Sequence, residues 1–355
     1  MQQEVGVRSA GRGTRIRTGR GISLALFLGA ATASAQPSSA PASQSAAPRV
    51  ESVTVTGASS KAVDNFVQSV STPTHIIGKV ARWEVPICPA AVGVPDDVIA
   101  AVIKRVKEVA VQAGVRVSSN PVCKPNIVIA FTRTPQELLD NIRKDHREWL
   151  GYQSSAEELE RLGTVTRPIQ AWYSTATEDL QGHREIDMSR SDRNGRGLVI
   201  IGPCALIGGH HRMNANIVQV PNPTCTAEIP NAIATEVKAS RIADGLRATF
   251  DHVTIVANPP AVHADMPAIE DYIAVLALAQ INSLDTCQAL PSITSLLASG
   301  CTRAGTAITA NDLSYLKAVY AANPEKVPGL QKDEIAYRME QGIAGRELVL
   351  LRKID

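Results

Sequence analysis

His210 and His211 stand side by side behind Gly208 and Gly209, with His252 and His263 downstream. Three such imidazoles gathered in space would bind zinc. Adjacent residues on a strand face opposite sides of the sheet, so His210 and His211 do not serve one ion from a strand. Glu270-Asp271 is the best carboxylate pair. Neighbours on a helix point about 100° apart, and carboxylates in a first turn complement the helix dipole. That gives the pair a structural role by default. One catalytic arrangement stays open, a site assembled from distant residues such as His210, His211, His252 and Glu270.

The six cysteines are Cys88, Cys123, Cys204, Cys225, Cys287 and Cys301. No Cys-x-x-Cys occurs, which argues against a cysteine-rich zinc site. An even number argues against a lone nucleophilic thiol and favours disulfides in an exported chain. Six cysteines allow fifteen connectivities. Pairing in sequence order, 88–123, 204–225 and 287–301, is the expectation.

Other signatures fail on their partners. Ser314-Tyr-Leu-Lys317 matches Ser-x-x-Lys, but Ser-Asp-Asn and Lys-Thr-Gly do not follow. His183-Arg-Glu185 followed by Pro203-Cys204 lacks the second deaminase cysteine, since Ile207 stands there. No nucleophile elbow, phosphate loop or dinucleotide fingerprint is present. No cofactor is implied.

The amino terminus addresses the compartment. Arg8, Arg12, Arg15, Arg17 and Arg20 precede an apolar run, Ile22–Ala30, and Ala33-Ser34-Ala35 offers a small-x-small cleavage site. Residues 1–35 therefore read as a cleaved signal peptide, and the chain as periplasmic or secreted. The apolar run is too short for an anchor, which needs about twenty residues. No later run would span a membrane. The full chain is net +2, but residues 1–35 carry five Arg against one Glu, so the mature chain is −2. The basic balance is thus no argument for nucleic acid, and no Lys/Arg cluster is interleaved with aromatics.

The elements that would position these groups follow from pattern. Residues 36–50 are a small, polar linker. Residues 51–79 hold a strand, with Val50–Thr56 alternating, and a short helix at Ser60–Val70. The tethered strand is an edge strand or a segment that docks on an envelope protein partner. Residues 80–355 make the main domain. Arg82–Ile87 and Asn126–Thr132 read as strands, and Asp96 onward as a helix with Val98, Val102, Val106, Val109 and Ala113 inward. Thr134-Pro-Gln-Glu137 starts a capped helix running to about Trp149, and Ser154–Glu158 another. Ile169–Ser174, Leu198–Ile201, Asn216–Val220 and Leu246–Ala257 read as strands, the middle ones antiparallel. Pro267–Gln280, Thr309–Ala321 and Asp333–Gln341 are helical. The fold class is α/β (α+β): a mixed, partly antiparallel sheet with packed helices and a helical C-terminal part.

Arg82-Trp-Glu-Val-Pro-Ile87, Pro125-Asn-Ile-Val-Ile-Ala-Phe131 and Ile308–Tyr320 resemble a poorly characterised group of bacterial secreted proteins with a zincin-like, metallopeptidase-like domain, over roughly residues 80–322. The resemblance implies a zincin-like outline. Its chemistry does not follow, because His-Glu-x-x-His is absent; the helix in its place, Ile269–Ala277, has Val275 and Leu276 where a ligand would sit. The expectation is a non-catalytic, disulfide-stabilised binding or structural module of the envelope. The alternative is a periplasmic hydrolase using the dispersed residues above.

Overall fold

The computed structural model describes residues 58–188, 198–201, 233–236, 240, 242–282, 284–301 and 305–352. They belong to the unit Thr54–Asp355. The strands expected at Val50–Thr56 and Asn216–Val220 lie outside the described residues.

Helices begin where caps and periodicity coincide. α1 (Ser60–Val70) follows Ser59, whose hydroxyl accepts from the Ala62 amide at 3.3 Å. α2 (Asp96–Ala113) opens on two aspartates and stops at Gly114, which is left-handed at φ 87°. Its Val102, Val106, Val109 and Ala113 are buried, as the spacing predicts. α5 (Met266–Leu278) and α6 (Ala310–Ala321) start on Asp265 and Thr309. Thr309 and Asp312 close a reciprocal capping box.

Several expectations need correction. α3 (Pro135–Asp145) ends short of Trp149, because His146 at φ −142°, ψ 52° leaves the helical region and Arg147–Leu150 tightens into a 3-10 turn. Thr134 makes no side-chain cap bond, and its hydroxyl sits 3.4 Å from that of Thr132 instead. Arg82–Ile87 forms no continuous strand. Arg82 and Ile87 make single bridges, to Thr249 and Val117, and Pro86 has no N–H to give a ladder. The first described strand is instead β1 (Pro89–Val92). α4 (Ala156–Leu162) is capped by the Ser155 hydroxyl.

The sheet has the order β1–β2–β7–β3–β4, with β2 at Ile127–Phe131, β3 at Ile169–Glu178, β4 at Arg184–Ile186 and β7 at Arg247–Ala257. β1, β2 and β7 run parallel, whereas β3 is antiparallel to β7 and to β4. A separate pair, β5 (Leu198–Ile201) and β6 (Ile233–Glu236), is parallel where the sequence suggested antiparallel strands. α7 (Pro328–Arg352) starts earlier and runs further than the Asp333–Gln341 pattern. No described helix is long and apolar enough to cross a membrane.

Alternation along β7 sorts the core into two faces. Phe250, Val253, Ile255 and Ala257 join β2, α1, α2, α5 and α6 in the main cluster. Val256 turns the other way, onto Trp172, Leu139, Ile142 and Leu150. β7 is therefore buried on both sides, which suits its near-continuous apolar run.

Candidate functional site

Of the dispersed residues, His252 and Glu270 do not meet. A register shift pairs Ser174 with His252 and Thr175 with Phe250, leaving Asp251 as the extra residue of a β-bulge. The bulge turns His252 to the α3 side, where its ring stacks on Trp149 at 4.5 Å. Glu270 lies on α5, which packs on the opposite face of the sheet with Val253 and Ile255. The sheet thus separates His252 from Glu270. His210 and His211 fall outside the described residues, and His263 is exposed. Among the described residues, no three His, Cys, Asp or Glu side chains gather as a metal site would require.

Each expected group has a local role. Asp271 accepts from the Arg105 guanidinium and from the Ile308 amide at 2.7 Å, tying α2, α5 and the approach to α6 together. Burial and the neighbouring Asp271 raise the Glu270 pKa, against Arg105. Ser314 is buried and Lys317 is exposed, so the Ser-x-x-Lys match is no pair. Cys88 is bonded to Cys123 and Cys287 to Cys301. Cys204 and Cys225 lie outside the described residues.

The concavity that the sequence did not announce is a cleft of about 420 Å³. One wall is the segment after α1. The Ser71–Ile281 bridge and the bond from the Thr72 amide to the Gln280 carbonyl fasten it to the end of α5. Thr72, Thr74 and His75 project from that wall. The facing wall comes from the 3-10 turn and α4, with Tyr152, Glu158 and Arg161. The floor is β3, from Gln170 to Thr175.

Gly151 allows the facing wall to come so close. Its φ is 89°, and a Cβ there would lie 2.3 Å from the Tyr173 carbonyl oxygen. The Gln153 amide then locks the turn, donating to the Gly151 carbonyl at 2.7 Å. Opposite, the His75 and Tyr152 rings stack obliquely at 5.5 Å.

Charge in the cleft is organised around Glu158. Burial opposes its ionisation, but the Ser154 hydroxyl and amide, His75 and Arg161 prevail and hold its pKa below the usual carboxylate range. Arg161 reaches it only at 3.4 Å, and the Arg161 side chain is 68% exposed. At the rim Arg167 grips Asp285 with both ends of its guanidinium, lowering the Asp285 pKa. The Thr72 and Thr74 hydroxyl oxygens are buried away from the open space, without a hydrogen-bond partner. Thr74 is only 5% exposed.

No protein-family model matches this chain, and no curated protein or solved structure matches it significantly. The assignment of a site therefore rests on geometry. Sequence reasoning missed the cleft because its walls come from residues 72–75, 150–162 and 280–282, which share no local motif. The one local signal was Gly151, a glycine just after Trp149-Leu150.

Proposed function

We propose that this chain is an exported, disulfide-held binding module of zincin-like outline, and that the polar cleft is where it binds. The polar lining of the cleft carries the reading: Glu158, held ionised, and Arg161, whose guanidinium spends one N–H on Glu158, line a space of about 420 Å³. The cleft also falls within the volume range of small-molecule sites.

Further support comes from α5. The stretch at the place of a zincin's catalytic helix, Ile269–Ala277, has carboxylates at Glu270 and Asp271 but no histidine, and Val275 and Leu276 are buried in the core. Export is supported by residues 1–35 and is compatible with the two disulfides.

The test is a thermal-shift screen of the purified full chain against polar solutes, run beside ester- and peptide-hydrolysis assays. A ligand that raises the melting temperature, loses that effect in Arg161→Gln and is returned unchanged supports the reading. Turnover insensitive to Arg161→Gln overturns it, as does a screen in which no solute shifts the protein.

A further inference from the structure

The charged lining of the cleft selects the class of ligand, given the reading of the cleft as a binding site. Glu158, Arg161 and Arg167 are its charged side chains, with His75 beside Glu158. Their contacts leave acceptors spent and donors in surplus.

The acceptors are spent on the protein itself. Glu158 is the one carboxylate among the described residues of the lining. Its Oε2 takes the Ser154 amide at 2.8 Å and the Ser154 hydroxyl at 2.6 Å. Its Oε1 faces His75 Nε2 at 3.2 Å and the Arg161 guanidinium at 3.4 Å. A carboxylate has about four lone-pair sites, so Glu158 keeps none for a ligand's ammonium.

The donors are not spent. A guanidinium carries about five N–H groups. Arg161 gives one to Glu158, and Arg167 gives two to Asp285, from Nε at 2.6 Å and from Nη2. Each arginine therefore keeps more than half of its donors. The two also stand on different elements. Arg161 belongs to α4, whereas Arg167 precedes β3 and is clasped by an aspartate that lies outside the lining. Each offers a fork of its own, and an oxyanion, which only accepts, matches each fork in parallel bonds. Leu150, Leu162 and Ile281 line the same space and suit a short carbon body.

We propose that the cleft takes a small organic dianion, two carboxylates on a short carbon chain, one bound by Arg161 and the other by Arg167.

The proposal is tested by calorimetric titration of the purified full chain with succinate, its half-amide succinamate and methyl phosphate, at about 0.15 M ionic strength to screen diffuse attraction. Succinate should bind, and succinamate at least about tenfold more weakly, the loss of one charge-assisted contact. Arg161→Gln and Arg167→Gln should each bring succinate down to the level of succinamate. Asp285→Asn, which keeps the Arg167 charge and frees its fork, should hold or tighten succinate binding. Lys104→Gln, on an exposed side chain of α2 outside the cleft, should change nothing. Equal binding of succinate and succinamate overturns the dianion. Methyl phosphate binding as tightly as succinate overturns the two separate carboxylate positions. A loss in Lys104→Gln equal to that in Arg161→Gln overturns the cleft as the place of binding. A loss in Asp285→Asn overturns Arg167 as a direct donor. If none of the three solutes binds while another raises the melting temperature and loses that effect in Arg161→Gln, the dianion falls and the binding cleft stands. If no solute does so, both fall.

Discussion

The imidazole of His252 lies flat against the indole of Trp149, ring centroids 4.5 Å apart and planes 21° from parallel. Trp149 is itself stacked on His146 at 4.1 Å, so the indole is held between two histidines. His252 is 8% exposed, and its Nε2 has no hydrogen-bond partner. Burial lowers its pKa; Asp251 and Glu148 work against that, while His146 and Lys124 add to it. In the unfolded chain the same ring takes a proton near pH 6.5. Between that pH and the lower folded value the unfolded state binds more protons, so stability falls as pH falls through the window. Urea unfolding at steps from pH 7.5 to 5 should show this decline, and His252→Phe, which keeps a ring on Trp149, should flatten it. An unchanged slope in the variant would remove His252 as the source.

Lys79 is a buried cation with a full set of acceptors. Its ammonium donates to Asp244, to the Leu246 carbonyl at 2.6 Å and to the Glu325 carbonyl at 3.2 Å. Burial lowers its pKa, and Asp244 and Glu325 counter that. Lys79→Met strips Asp244 of its counter-ion and the Leu246 carbonyl of the ammonium, while Asp244 keeps the Leu246 amide and the Glu325 carbonyl keeps the Asp244 amide. Because Asp244 is 28% exposed and can rehydrate, the cost should sit near the low end for breaking a buried pair, about 3 kcal/mol. Chemical denaturation measures it. A loss below about 1 kcal/mol would show that the group is dispensable.

The Cys88–Cys123 bond closes a loop across a sequence separation of 35 residues around α2. On the chain-entropy account its removal costs about 3–4 kcal/mol, and that of Cys287–Cys301, with a separation of 14, about 3 kcal/mol. Paired Cys→Ala substitutions should each lower the melting temperature by on the order of 10 °C, with the larger drop for the first pair. The reverse order would mean that strain or residual structure outweighs loop length.

Gly151→Ala should damage the cleft and the fold together. The backbone at φ 89° disfavours any L side chain by about 1–3 kcal/mol, and the new methyl would collide with the Tyr173 carbonyl. The turn must retreat from β3, moving Tyr152 with it. Calorimetry should register a destabilised protein. If the melting temperature holds, the wall is not fixed at Gly151.

The capped helices were legible in sequence because their signals are local. Ser60–Val70 occupies the residues that the pattern marks, and Thr309 with Asp312 forms the box that its spacing foretells. α2 and β7 were visible from periodicity and apolar runs. The errors fall where a residue's tertiary partner outranks its neighbours. Trp83 donates its indole N–H to the Ala277 carbonyl at 2.8 Å, which draws the Arg82–Ile87 segment onto α5 rather than into a ladder. His146 leaves the helix to cover Trp149, so α3 stops before its apolar pattern does. The bulge at Asp251, which decides the face His252 occupies, depends on the register against β3 and leaves no mark in β7 alone.

The position of β7 sets the order in which this protein can assemble. β7 lies between β2 and β3 in the sheet but after both in the chain. A growing chain can therefore build two half-sheets, β1 with β2 and β3 with β4, each with one inner edge unpaired. Those edges stay open until Arg247–Ala257 arrives to join them. Unpaired edges of this kind recruit other chains, and long-range parallel pairing is slow. The nascent protein thus passes through a stage in which it needs a chaperone more than the finished one does, and a fragment ending before Arg247 would aggregate where the full chain folds.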